Sequence, residues 1–332
     1  MKVRNFILSY LFLLPNVFFA NDIWHILDQI SFSAVVTDFI GTVEVSGDGG
    51  RSSEQYQVFF RKDHGDTTMK IVSLGDTDGE IIKTDSDVNL YADTKEGLLM
   101  VHFFNFNRYP NFLPSNPSIL RSTYQLNVGT EDKVADKNCQ WYWLSPKTNK
   151  DYYSIGFCAD KRNYFPLTYV YKDIHTGQEV EKIKFSNIFY ERPSDSQLQP
   201  QKKYKFNNIV INPMSFSQKM DIQGQINDDF IANLPEDFYI ISEKNNTNKN
   251  FRYYYLSNGL VYVSLFLRHV KGSTDMKNIG KSPESKIQIK QANIYGPINQ
   301  IEYMDDRYKI ILVGDMPLKA MKQFIFSTNF KD

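Results

Sequence analysis

The sequence predicts an α+β protein dominated by antiparallel sheet. Three observations carry this. Strand-forming runs are broken by turn formers at intervals of roughly 8–12 residues over most of the chain. Aromatic residues are abundant, with 21 Tyr and 25 Phe among 332 residues. Amphipathic helical patterns occur near the start and the end, and a polar, proline-containing stretch after Tyr190 divides the chain into a larger and a smaller unit.

Residues 1–20 have the layout of a secretory signal peptide. Lys2 and Arg4 supply the charge, residues 6–19 the apolar core, and Ala20 a small residue for cleavage. The apolar run is short for a membrane span, with an uncleaved anchor as the alternative. Export to an oxidising compartment and a soluble mature chain are the expectation. Residues 22–32 then place Ile23, Trp24, Leu27 and Ile30 at helical spacing, an amphipathic helix expected to lie on a sheet.

Residues 33–46 and 54–61 alternate as strands. The Gly-rich run 47–50 between them reads as a hairpin loop, because it opens no helix that would make it a phosphate cradle. Residues 69–74, 80–83, 88–91 and 98–104 continue the sheet. Asp76-Thr77-Asp78-Gly79 reads as a turn, since it lacks the full ligand spacing of a calcium loop.

Residues 108–120 break the pattern. Pro110, Pro114 and Pro117 exclude a long helix or a central strand. Tyr109, Phe112, Leu113, Ile119 and Leu120 are nevertheless apolar and must cover something apolar. Two readings stand side by side: a lid over a lipid-sized cavity inside a curved sheet, or a loop packed as ordinary core.

Residues 137–190 read as a four-stranded meander: 139–144, 152–158, 166–172 and 180–190, with turns at 145–151 and 173–178. In the last strand Ile183, Phe185 and, after an irregularity, Ile188 and Tyr190 give a dry face against Lys182, Lys184 and Asn187. The first hairpin holds the only two cysteines, Cys139 and Cys158, equally far from the turn centre. A symmetric register makes them direct cross-strand neighbours, close enough for a disulfide. The alternative is two buried thiols; the expected export favours the disulfide.

Residues 192–203 are polar, with two prolines, and read as a linker. Residues 204–231 carry too weak a pattern to assign. Residues 238–242, 250–257, 261–269, 286–295, 300–304 and 308–313 read as strands, with Ser257-Asn258-Gly259 as a turn. Asp315 is placed to cap a final helix with Pro317 near its first turn, and Leu318, Met321, Phe324 and Ile325 facing the sheet.

Chemical motifs are absent. The 38 Lys and Arg balance 38 Asp and Glu, which gives no electrostatic case for a nucleic-acid partner. His25, His64, His102, His175 and His269 show no paired metal-ligand spacing, and neither a nucleophile elbow nor a phosphate-binding motif occurs. His102 and His269 sit in apolar strand patterns and read as hydrogen-bonded structural residues. No catalytic residue, metal or cofactor is expected; the chain reads as a binding protein, not an enzyme.

Several segments together resemble the RseB/MucB family of periplasmic stress regulators. They are Tyr124-Gln125-Leu126-Asn127-Val128-Gly129 with Val134-Ala135-Asp136 and Cys139, then Asp160 with Phe165-Pro166-Leu167, Asp173 and Gly177. In the second half they are Leu234-Pro235 with Phe238, Ser257-Asn258-Gly259-Leu260, and Ile310-Ile311-Leu312-Val313-Gly314-Asp315-Met316-Pro317. The matches follow the family's order. Two departures stand out: Glu236-Asp237 replaces the family's usual Gly before the aromatic, and residues 194–225 show no resemblance.

The resemblance implies a curved antiparallel half-barrel similar to the lipoprotein carriers LolA and LolB, closed by the entry helix and the 108–120 segment, followed by a smaller α+β domain. Together with the residue patterns it gives a division into signal peptide 1–20, lipid-sensing domain 21–191, a linker and poorly assigned segment 192–225, and partner-binding domain 226–332. It also implies a periplasmic regulator whose partner is the periplasmic segment of a membrane anti-sigma factor, with residues 234–332 carrying much of the contact. Acyl chains of lipid or lipopolysaccharide would bind at Tyr109, Phe112, Leu113, Ile119 and Leu120. A periplasmic lipid or lipoprotein carrier on the same half-barrel is the alternative. Oligomeric state is not legible.

Overall fold

A computed structural model describes residues 23–47, 52–75, 79–94, 108–147, 151–211, 231–246, 251–269, 288–304 and 308–330. The signal-like stretch 1–20, Asp76, Thr77 and Asp78 of the expected turn, the expected strand 98–104 with His102, and segment 212–230 lie outside them. Among the described residues no helix is long and apolar enough to cross a membrane.

The chain enters through helix α1 (His25–Val36), which buries Leu27, Ile30 and Ala34. The helix runs into the stretch that the β-branched Val35-Val36 marks as strand, and the first strand begins only at Phe39. Contacts of the helix with the sheet override that local preference, and the Thr37 N–H closes the last turn on the Ser33 carbonyl.

Five strands follow as an up-and-down run: β1 (Phe39–Gly47), β2 (Ser52–Asp63), β3 (Asp66–Ser73), β4 (Gly79–Thr84) and β5 (Asp87–Ala92). A second run comprises β6 (Tyr124–Val134), β7 (Lys137–Pro146), β8 (Ser154–Asp160), β9 (Pro166–Lys172) and β10 (Glu179–Phe189). Pairing of β1 with β10 joins the two runs into one antiparallel sheet. This is the expected open, curved half-barrel, and the 137–190 meander supplies β7 to β10 of its second run. The irregularity in β10 is real. Val43 pairs with Phe185 and Thr42 with Asn187, so Ser186 is the extra residue, and Ile188 stays buried. Phe39 stacks on Phe60 at 5.5 Å and meets Phe165 and Phe185 edge-on at 5.0 and 5.4 Å, at the centre of the core.

The disulfide between Cys139 and Cys158 is formed, in a register different from the symmetric one. Cys139 pairs with Asp160 and Cys158 with Trp141, so the two cysteines are diagonal neighbours on one face, with Cα atoms 5.4 Å apart. The register is shifted by two residues from the symmetric one, and β8 ends two residues past Cys158, where the Asp160 N–H bonds to the Phe165 carbonyl and the Lys161 N–H to the Asn138 carbonyl.

The polar stretch after β10 is not a free linker. Its short helix α2 (Asp195–Leu198) is closed by a Ser194–Gln197 capping box. Leu198 is buried on Phe59 and Val72 on the outer face of the sheet. The chain then adds strand β11 (Phe206–Ile211) to β5, giving an eleven-stranded sheet ordered β11-β5-β4-β3-β2-β1-β10-β9-β8-β7-β6. One buried leucine and a few anchored polar groups hold what composition marks as linker.

The second sheet contains β13 (Tyr239–Asn246), β14 (Phe251–Ser257), β15 (Tyr262–His269), β16 (Gln288–Tyr295), β17 (Ile298–Met304) and β18 (Tyr308–Gly314), in the order β13-β14-β15-β18-β17-β16. Helix α3 (Leu318–Ser327) lays Met321, Phe324 and Ile325 on it, as its spacing predicts. Strands β12 (Ile231–Asn233) and β19 (Asn329–Phe330) make a separate short pair. Asp315 does not cap α3: Pro317 holds the cap position, without a side-chain hydrogen bond, and the Asp315 carboxylate turns to the other sheet.

Candidate functional site

The apolar, proline-containing segment lies where the two sheets meet. Residues 108–123 leave strand geometry because their prolines cannot join a ladder. They end in a 3-10 turn, Pro117–Ser122, whose start is capped by the Asn116 side chain accepting from the Ser118 N–H. Tyr109, Phe112, Leu113 and Leu120 are buried and Ile119 is partly buried against the same core. All five sequence-selected residues thus belong to the core at the junction, Tyr109 and Phe112 at one end of the segment and Ile119 and Leu120 at the other.

They are seated as core. The Phe112 ring lies 4.2 Å from Tyr169 and 6.4 Å from Tyr171, both on β9, and the Tyr109 ring lies 6.1 Å from Phe185 on β10. The Tyr169 hydroxyl donates to the Pro110 carbonyl at 2.7 Å, and Ser31 of α1 donates to the Pro114 carbonyl at 3.3 Å. Tyr109 and Phe112 therefore pack on the face of the large sheet that carries Tyr169, Tyr171 and Phe185. At the far end Ile119 and Leu120 rest on the Ser257–Val261 turn of the small sheet. A Cβ at Gly259 would come within 2.8 Å of Ile119 Cδ1, and its φ of +93° suits glycine.

Sequence reading missed the charged centre of this junction. Arg108 donates from Nη1 to Asp315 at 2.6 Å and to the Tyr171 hydroxyl at 3.2 Å, and from Nη2 to the Phe112 carbonyl at 2.7 Å. Its guanidinium lies 4.4 Å from the centre of the Tyr262 ring. The other Asp315 oxygen accepts from the Tyr262 N–H at 2.6 Å. Burial pushes the Asp315 carboxyl above its ordinary value, against the pull of Arg108 and the Tyr262 N–H. Burial likewise raises the Tyr171, Tyr255 and Tyr262 phenols, so the ring of tyrosines around the pair stays neutral. The available signal was a lone arginine opening an apolar segment; its partner lies 207 residues away.

Further polar contacts cross the junction. Tyr152 donates to Asp237 at 2.9 Å, and Asn299 donates to the Tyr153 hydroxyl at 3.0 Å. Asp151 accepts from Lys319 at 3.0 Å and Gln323 at 2.8 Å and lies 2.9 Å from His175. Burial acts to raise the Asp151 carboxyl, but its bonds to Lys319, His175 and Gln323 hold it below the usual range. Phe238 bridges Tyr152 and Phe324, with ring separations of 6.2 and 4.9 Å. Tyrosine hydroxyls, amides and ion pairs satisfy one another here, an arrangement suited to holding two bodies in register. Among the described residues no group of three or more His, Cys, Asp or Glu is placed to hold a metal.

The model of the MucB/RseB N-terminal domain matches residues 22–203, more than half of the chain. The chain belongs to the MucB/RseB family. No curated protein sequence matches it. Among solved structures, the Pseudomonas aeruginosa MucA/MucB complex is 17% identical and covers 93% of this chain and 99% of that one, with a TM-score of 0.66. MucB in complex with MucA(peri) gives 15%, 93%, 98% and 0.64 in the same order, and MucB by itself 16%, 92%, 97% and 0.58. At these identities the likeness establishes the fold, and it extends across both sheets.

Proposed function

We propose that this protein is a periplasmic regulator that binds the periplasmic segment of a membrane anti-sigma factor of the MucA/RseA kind and shields it from proteolysis. It acts by binding rather than by catalysis. The observation that carries this reading is the likeness to MucA-bound MucB over 93% of the chain, with the second sheet included. A lipid or lipoprotein carrier needs only a half-barrel, so the six-stranded second sheet argues against the carrier reading. The small sheet and α3 are the main partner-binding unit in this proposal.

The large sheet is the sensor. Acyl chains of mislocalised lipid or lipopolysaccharide would enter where Tyr109, Phe112, Leu113, Ile119 and Leu120 now pack. Each buried CH₂ contributes about 0.8 kcal/mol, so one chain supplies several kcal/mol against the cost of moving those side chains. Release then requires a coupling of about 1–3 kcal/mol, a change of about 5–150-fold in partner affinity.

The test is an anisotropy titration of a labelled anti-sigma periplasmic segment with the mature protein, with and without an acylated ligand. Saturable binding weakened by the ligand is expected. Absence of binding removes the regulator; binding that the ligand leaves unchanged removes the sensor and keeps the regulator.

A further inference from the structure

We propose that residues 108–120 are a transmission element: the seating of Phe112 in the large sheet and the docking of the small sheet are a single equilibrium tied together by Arg108, so a group that displaces Phe112 also opens the junction. Only the identity of that group, an acyl chain, rests on the sensor reading above.

The geometry is a three-way clamp. One guanidinium reaches the backbone of the segment at Phe112, the large sheet at Tyr171, and the small sheet at Asp315. Arg108 is four residues from Phe112 and its guanidinium also lies 5.3 Å from the centre of the Phe112 ring. Withdrawing Phe112 therefore pulls on the group that neutralises Asp315. That carboxylate is buried, and losing its cation leaves a charge that the junction does not tolerate in its closed state. The downstream end is fixed in the same sense, because Ile119 and Leu120 leave no room above Gly259. Between these anchors the segment bonds to Tyr169 of β9 and to Ser31 of α1, which packs with the large sheet. A segment touching one sheet along its middle and the other at both ends cannot move in one without disturbing the other. Coupling of this kind is reciprocal.

Hydrogen exchange by mass spectrometry on the full mature chain reads it in both directions. Phe112→Ala, which removes the ring packed on Tyr169 and Tyr171, should speed exchange about fivefold or more in the 257–262 turn of the small sheet, with residues 252–255 unchanged. Asp315→Asn, made at the small-sheet end of the clamp, should do the same in residues 108–123. Arg108→Lys keeps the charge but not the three-way bonding, and should give both effects more weakly if Asp315→Asn proves too damaging to fold. Exchange that rises only in the sheet carrying each substitution overturns the coupling and leaves the segment as packing. A dansyl-labelled undecanoic acid added to the wild-type chain should speed exchange at 257–262. Absence of probe uptake removes the acyl sensor while the variants still decide the coupling, and uptake with 257–262 unchanged overturns the link between acyl entry and opening.

Discussion

Lys70 and Glu80 form an ion pair of 3.3 Å on the outer face of the large sheet, with side chains 1% and 0% exposed beneath the strap that follows β10. Lys70 also donates to the Gln199 carbonyl at 2.5 Å, and Glu80 accepts from the Gln201 N–H at 3.1 Å and the Tyr204 hydroxyl at 2.6 Å. Two diagonal charges on β3 and β4 thus pin a segment that composition alone marks as linker. Removing one partner of a buried pair costs about 3–5 kcal/mol. Glu80→Ala should therefore loosen the strap, and trypsin should cut after Lys202 and Lys203 more than about tenfold faster than in the wild type. Equal rates would show that the pair does not hold the strap.

The Cys139–Cys158 bond should contribute about 3 kcal/mol by restricting the unfolded chain, given its sequence separation of 19. Both cysteines are held in this bond, so thiol labelling of the denatured, unreduced protein should find no free thiol. The Cys139→Ala/Cys158→Ala variant should melt at a lower temperature; an unchanged transition would assign the bond no stabilising role.

Gly156 has no room for a side chain. A Cβ there would lie 2.6 Å from the Trp143 ring, which stacks on Trp141 with centroids 5.3 Å apart. Gly156→Ala should push Trp143 outward, red-shift tryptophan emission and cost about 1–3 kcal/mol. Full stability with unshifted emission would mean that the ring moves freely.

Alkaline pH should unfold the protein through its buried phenols. Burial pushes Tyr153 and Tyr239 up to about 12 and carries Tyr109 and Tyr171 well above the ordinary value. A raised folded-state value gives stability that is complete below the ordinary phenol value, about 10, and is lost as pH rises through the folded values. Phenolate absorbance should therefore show a late step that coincides with loss of near-ultraviolet circular dichroism. A single early phenolate step with the fold intact would contradict the burial of these hydroxyls.

The sequence by itself determined the local elements. Alternation marked most strands, helical spacing marked α1 and α3, and prolines marked 108–120 as neither, because these signals depend on neighbours a few residues apart. It also placed the two cysteines on one hairpin, although not their register. Only the tertiary structure shows where that register settled, with Cys139 opposite Asp160 and Cys158 opposite Trp141. The 192–211 stretch went the same way: the Lys70–Glu80 pair that anchors it joins two other strands, and β11 forms only because β5 offers a free edge. Asp315 shows the limit most plainly. Read locally, it is a helix cap. Its actual partner is Arg108, and the ionic bond between residues so far apart in the chain exists only once two sheets have folded and excluded water between them.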